Sequence, residues 1–410
     1  MKKPILLGVL LLVLVGLGSV GVFYYKNLRG IAPALFPPTS LPEVKPSGSG
    51  APTSSVGKPV INNGSLKMPD GFSVSIFAKN LPGARVLAMD SMGNLWVSQT
   101  GQGQISLIEM QDGKVVNQNA VFKNLKNPHG LAFDPEDPFI LYFAEEHQIS
   151  KVRLHSEDTP HKIIDLPKKG NHFTRTLGFG PDGRLYVSIG STCNVCHEED
   201  EHYASIWSMK KDGSDFKQVA KGLRNSVFFV WNKNDGKMWA TEMGRDLLGD
   251  DIPPDEINII DTSAKDILNF GWPNCYGKNI HDTAFDKNTY IRNPCMEPFE
   301  KESHIDIPAH SAPLGLSFVS AKAGWPAEYK NDLLVALHGS WNRSVPTGYK
   351  VVRYHLDAAG NVLSVGDFLS GWTKGKTATG RPVDIIFSPD GKMYVSDDKA
   401  GVIYQINYLY

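Results

Sequence analysis

An all-β, six-bladed β-propeller behind an N-terminal transmembrane helix is the fold class that this sequence predicts, and three observations predict it. A turn-plus-strand pattern recurs through most of the chain, amphipathic helical periodicity is scarce, and one long uncharged apolar run stands at the N-terminus. At 410 residues the chain could make two average domains, but all-β propellers of this length form one unit.

Taken in order, segment 1–28 opens with Lys2 and Lys3, then runs without charge from Pro4 to Tyr25, ahead of Lys26 and Arg29. About 20 apolar residues suffice to cross a hydrocarbon core of ~30 Å as a helix. Tyr24, Tyr25 and Lys26 form an interfacial anchor, and the leading lysines orient the N-terminus inward. The segment therefore reads as an uncleaved signal anchor in the cell membrane, with all that follows facing the periplasm or the exterior. A cleaved signal peptide is the alternative, although no A-x-A site follows the apolar run. Residues 29–66 are rich in Pro, Gly, Ser and Thr, with too few large apolar side chains to pack, and read as an extended tether.

Segment 67–410 carries the repeat. Its copies are DSMGNLWVSQ from Asp90, DPEDPFILYFAEE from Asp134, GPDGRLYVSIG from Gly180, NKNDGKMWATEMG from Asn232, KNDLLVALHGS from Lys330 and SPDGKMYVSDD from Ser388. D-G and N-D-G turns accept positive φ, and the strands after them are rich in Val, Tyr, Trp and Leu. Most copies stand about 45 to 60 residues apart, the length of one four-stranded blade, so six copies predict six blades. The long gap between the fourth and fifth of the regular copies holds an insertion from about Thr262 to His310. The terminal strand GVIYQINYLY pairs in this reading with an early strand such as FSVSIFA and closes the ring. A pair of β-sandwiches is the structural alternative, and it leaves the repeat unexplained.

With 42 basic against 43 acidic residues and a net charge of −1, the chain has no broad basic footprint, which argues against nucleic acid as a partner. A small molecule fits better. Four cysteines in an exported domain imply two disulfides with three possible connectivities, of which Cys193–Cys196 and Cys275–Cys295 are favoured. Cys193-Asn-Val-Cys196-His197 also matches C-x-x-C-H, the attachment pattern of c-type haem, and that alternative stays open at this point.

Four stretches go beyond a generic propeller: NPHGLAFDP with His129, NHFTRTLGFGPDGRLYVSIG with His172, GLRNSVFF with Arg224 and Asn225, and TEMGRDLLGDDIPPDEINIID followed by NFGWPNCYG. From Met68 to Tyr410 the set resembles the soluble quinoprotein sugar dehydrogenases, the family of soluble pyrroloquinoline quinone (PQQ) glucose dehydrogenase, and looks closest to its sorbosone dehydrogenase-like branch. The resemblance implies a sugar or aldose dehydrogenase. Hydride would leave a sugar or polyol hydroxyl, or a hydrated aldehyde, for PQQ, and an external quinone or cytochrome would then take the electrons.

It also implies roles for individual residues. His172 stands at the position of the family's general base, and a neutral imidazole suits that step. Arg224-Asn225 matches an Arg-Asn pair that binds the cofactor, and Arg offers carboxylates a bidentate fork. Gly244 and Arg245 fall where backbone carbonyls meet Ca²⁺, a hard cation that prefers oxygen, and Asp255 belongs with them through the DEIN segment. Arg381 matches one of two late arginines that close over the cofactor. The family's cofactor lysine has no counterpart; His338 and Arg343 occupy its neighbourhood, and His129 joins the cofactor set as a residue lining the central face or capping a blade. Two further departures are Ser191, where the family has the carboxylate that orients the base, and Val383, where it has a second arginine.

Blander readings stand beside these. His172 could be a solvated loop residue, Arg224 a structural partner of Asp246 or Glu242, and the acidic set Asp250, Asp251, Asp255 and Glu256 a solvated loop rather than a Ca²⁺ cluster. For the whole protein the alternatives are a Ca²⁺-dependent propeller hydrolase of the lactonase kind and a non-catalytic binding propeller.

Overall fold

The turn glycines settle where the strands begin. Gly93, Gly183, Gly236 and Gly391, one in each of four repeat copies, adopt φ of +84°, +74°, +70° and +88°, and Asn331 takes φ +66° in a fifth. Each turn joins the innermost strand of a sheet to the second strand. That second strand is the segment the repeat picked out, and in five of the six sheets every residue of it is buried. Apolar runs buried on both faces are what make it legible in the sequence.

The computed structural model describes residues 3–23, 66–298, 300–375 and 377–409, with side chains from residue 13 onward. Six sheets form the blades, all antiparallel except where one short extra strand joins the third. The innermost strands, from blade 1 to blade 6, are Ala84–Met89, Leu131–Phe133, Leu177–Phe179, Phe229–Trp231, Pro313–Phe318 and Pro382–Phe387. These pack side by side around the axis through Val86, Leu131, Val227, Leu314, Leu316 and Val383 and their neighbours. Ring closure is non-covalent. Phe72–Lys79, the first strand of the propeller, pairs antiparallel with Val402–Tyr408, the last, with Phe72 opposite Tyr408. Inner strands of blades 6 and 1 are also tied side by side, since Asp384 accepts the Leu87 N–H at 2.8 Å.

One expectation sharpens and one changes. The insertion belongs to blade 4: Ile305–Ile307, near its end, is the outer strand of that blade, so the excursion leaves it after Asp255–Ile260. It is stapled by a disulfide between Cys275 and Cys295, and a second joins Cys193 to Cys196, so no thiol is left to carry haem. The transmembrane expectation is not supported as a span. A helix covers Lys3–Phe23. Among the described residues no helix is long and apolar enough to cross a membrane. The tether lies outside the described residues except Leu66, which packs against the cluster shared by blades 5 and 6.

Candidate active site

On one face of the ring, chain leaves each second strand and enters the next inner strand, and every candidate residue falls on these loops. Each of the six blades also places one basic residue at or shortly before its inner strand: Arg85, His129, Arg175, Arg224, His310 and Arg381.

His172 lies on the entry to blade 3. Its Nδ1 is 2.9 Å from the Ser191 carbonyl oxygen and 3.0 Å from Ser191 Oγ. A carbonyl only accepts, so Nδ1 carries the proton and Nε2 keeps its lone pair. Burial first, then the Arg224 charge, lowers the pKa of this imidazole to about 4. The loop is braced by Arg175, a fully buried cation that donates to the carbonyls of His172 (2.8 Å), Thr174 (2.9 Å) and Pro167 (2.9 Å). Gly190 lets two functional side chains converge. A Cβ there would lie 2.6 Å from His172 Cβ and 2.5 Å from Asn225 Oδ1.

Asn225 donates its backbone N–H to Glu242 at 2.8 Å, while its Oδ1 is buried without a partner. Beside it, Arg224 spends all five N–H groups on the chain. Nε meets Asn194 O at 2.8 Å; Nη1 meets Met243 O at 3.3 Å and Gly244 O at 3.0 Å; Nη2 meets Asn194 Oδ1 at 3.0 Å and Asp246 Oδ2 at 3.2 Å. The Arg224–Asp246 ion pair weighed as a structural role is therefore formed.

Gly244 and Arg245 follow the second strand of blade 4. Asp255 accepts the Gly244 N–H at 2.9 Å through one oxygen and the Ala312 N–H at 2.8 Å through the other, and burial raises its pKa to about 6. Arg245 pairs with Asp282 at 2.9 Å across a cavity of about 20 Å³ that Arg224, Glu242 and Glu256 also line, room for about one water. Among the described residues, Asp250, Asp251, Asp255 and Glu256 do not gather into one cation-holding group. Instead Asp250 accepts the Ser344 N–H, Asp251 pairs with Arg343, and Glu256 accepts the Gly277 N–H.

Across the mouth, His338 Nε2 lies 2.9 and 3.0 Å from the two oxygens of Asp398, which also accepts from Arg85 at 2.8 Å. Arg381 donates Nε to the His338 carbonyl at 3.0 Å, and its guanidinium stands 5.5 Å from the Tyr349 ring centroid. Arg343 meets Ala309 O at 2.9 Å and Asp251 at 3.0 Å. His129 is fully buried near the axis, edge-on to Phe228 at 5.4 Å. The Thr176 hydroxyl donates to Val227 O and so accepts from His129 Nδ1 at 3.3 Å, which leaves the buried His129 Nε2 as an unpartnered acceptor.

Four participants escaped the motif reading: Arg85, Arg175, Asn194 and Asp398. Laying the blades over one another at their turns would have found the two arginines, because Arg85 and Arg175 each stand five residues before the turn residue, Asp90 or Gly180, as His129 does before Asp134.

The family model described as TrAA12-like matches residues 66–409. An uncharacterized protein of Borreliella burgdorferi is 33% identical over 359 residues, which cover 84% of this chain and 91% of that protein. The pyrroloquinoline quinone-dependent pyranose dehydrogenase of Coprinopsis cinerea is 23% identical over 84% of this chain and only 55% of its own length, so this chain spans about half of that relative. The holo form of its PQQ domain superposes with a TM-score of 0.70 at 21% identity, covering 83% of this chain and 97% of that one. A calcium structure of the carbohydrate-active enzyme family AA12 from Trichoderma reesei gives 0.71 at 20% identity, covering 84% and 97%. At these identities the two structures establish the shared fold.

Proposed function

The chain belongs to the TrAA12-like family, and from that premise we propose that it is a PQQ-dependent dehydrogenase of a pyranose, aldose or related polyol. One observation carries the reading: an imidazole with a fixed proton on Nδ1 and a free lone pair on Nε2 converges with the unpartnered Asn225 Oδ1 over a glycine. The arginines that several blades send to this face fit a flat polar anion, and the unpartnered buried acceptors of Asn225, His129 and Asn342 fit N–H or O–H donors on the cofactor or the sugar. Arg381, Asn225, His129, His338 and Arg343 would hold the cofactor, and Arg224, whose N–H groups are spent on the chain, would add charge rather than a hydrogen bond. The bound quinone supplies the hydride acceptor.

The rest falls to the chain. His172 Nε2 accepts the proton of the sugar hydroxyl, and its pKa of about 4 keeps it unprotonated across neutral pH. So weak a base takes the proton only as hydride departs, when the hydroxyl becomes acidic. The Ser191 carbonyl holds the ring by its Nδ1 proton and supplies no counter-charge, unlike a carboxylate. For Ca²⁺ we propose the backbone carbonyls of Gly244 and Arg245. Asp255 fits as a brace for that loop rather than a ligand, since both its oxygens are committed to N–H groups. The calcium structure of the Trichoderma relative supports a cation in this family. The two disulfides support an outward-facing propeller, and an external quinone or cytochrome would serve as its electron acceptor.

The test is to add PQQ and Ca²⁺ to the purified chain and follow the quinone absorbance and dye reduction over a panel of sugars. Saturable binding with sugar-dependent reduction is expected. Lactone hydrolysis without quinone binding would replace the reading with a hydrolase, and sugar binding without turnover would replace it with a binding propeller.

A further inference from the structure

The stretch between Ser191 and Glu198 touches both halves of the site. Ser191 accepts the His172 Nδ1 proton through its carbonyl, and its hydroxyl donates to Cys193 O at 2.7 Å. Three residues beyond Ser191, Asn194 makes four hydrogen bonds across to the entrance of blade 4. Its carbonyl and Oδ1 accept from Arg224 at 2.8 and 3.0 Å; Oδ1 also accepts the Asp246 N–H at 2.7 Å, and Nδ2 donates to Asp246 O at 3.1 Å.

An eight-residue loop could not hold such a set unaided, because each bond would have to offset the backbone entropy of ordering it. Three covalent or steric constraints fix it here. The Cys193–Cys196 disulfide closes a tight ring around Asn194 and Val195. Glu198 accepts both the N–H and the hydroxyl of Thr192, at 2.7 and 2.8 Å. Gly170 presses on Thr192 so closely that a Cβ there would lie 2.3 Å from its Cα.

We propose that Asn194, clamped by the Cys193–Cys196 disulfide, is a positioning residue that fixes the Arg224 guanidinium and, through Ser191, the His172 imidazole, so that reducing this disulfide loosens both at once. Reduction by a dithiol would transfer two electrons and two protons to the pair, giving two cysteine thiols and oxidising the reductant to its own disulfide. Exposure sets the selectivity. Cys193 and Cys196 are half-buried, whereas Cys275 and Cys295 are 5% and 1% exposed, so a mild dithiol opens the first bridge before the second. With the loop released, Arg224 keeps Asp246, Met243 O and Gly244 O but loses its two contacts with Asn194.

The inference rests on His172 and Arg224 as the heart of the site, and its test reads the imidazole directly without needing turnover. The groups facing His172 are Arg175 on its own loop, Ser191 and Arg224 on the neighbouring loops, and Asp246 beyond. Imidazole NMR of the intact chain would follow the His172 titration in three forms: wild type, wild type with the first disulfide reduced and mapped by mass, and Asn194→Ala with both disulfides intact. Loosening the Ser191 hydrogen bond alone would lower the His172 pKa, but opening the loop also lifts the burial and the Arg224 charge that depress it more, so the pKa should rise by about one unit or more in both perturbed forms. Thermal melting checks that each form is folded, and if Asn194→Ala does not fold, the reduced wild type decides alone. An unchanged titration in the folded forms overturns the proposal. If the titration moves yet no form binds quinone, the positioning role stands and the dehydrogenase reading fails.

Discussion

Two histidines on the same face, His172 and His338, share a pKa lowered to about 4, chiefly by burial, and are dressed in opposite ways. His172 gives its Nδ1 proton to a neutral carbonyl and leaves Nε2 free. His338 turns Nε2 onto the Asp398 carboxylate, which Arg85 also grips, while Arg381 holds its backbone. The titration alone would not separate them. What separates them is which nitrogen is spent and whether the partner carries charge: one imidazole is left as an acceptor, the other is built into a charge cluster. In that cluster the His338 N–H that it accepts and the charges of Arg85 and Arg381 hold the Asp398 carboxyl well below the usual range despite its burial.

The largest effect expected from this contrast is on turnover. His172→Ala should lower kcat by about 10²- to 10⁴-fold, the usual worth of a general base, while quinone binding measured by absorbance titration persists. His338→Ala should leave most of kcat and weaken quinone binding instead. Next comes Asp398→Asn, which strips Arg85 and His338 of their counter-charge. It should cost about 2 kcal/mol of unfolding free energy in denaturant melts, with little change in the pH profile. Ser191→Asp supplies the counter-charge that the His172 side lacks, and should raise the pKa of that imidazole by about 1–3 units in an NMR titration. The smallest effect belongs to Ser191→Ala. It removes one hydroxyl but leaves the carbonyl contact, so kcat should fall less than about tenfold, in line with a hydrogen bond worth about 1 kcal/mol.

Much of the scaffold was legible in the sequence because five of the six blades repeat their most buried strand behind a turn that demands Gly or Asn. LYVSI after Gly183 and MYVSD after Gly391 announce themselves in this way. Inner strands of three residues, such as Leu131–Phe133, carry too little period to be seen. Ile305–Ile307, the strand that completes blade 4 inside the insertion, is equally short and went unseen. In the site, the motif-bearing residues were found and the residues that hold them were not. Arg175 and Asn194 act largely through backbone carbonyls and one amide, interactions that no spacing rule encodes. That Ser191 would hold His172 by its carbonyl rather than its side chain alone was likewise invisible until the loop had a shape.

The contrast between the two histidines is tested most directly by the pH dependence of kcat/KM for sugar oxidation by the quinone-loaded chain. A base whose folded pKa is depressed stays competent above that value and fails only as pH falls through it, so activity should hold from neutral pH downward and drop near pH 4. Asp398→Asn should leave that limb in place, and Ser191→Asp should move it upward. A wild-type limb near 6.5, or one that survives unchanged in the residual activity of His172→Ala, would contradict the assignment of His172 as the base.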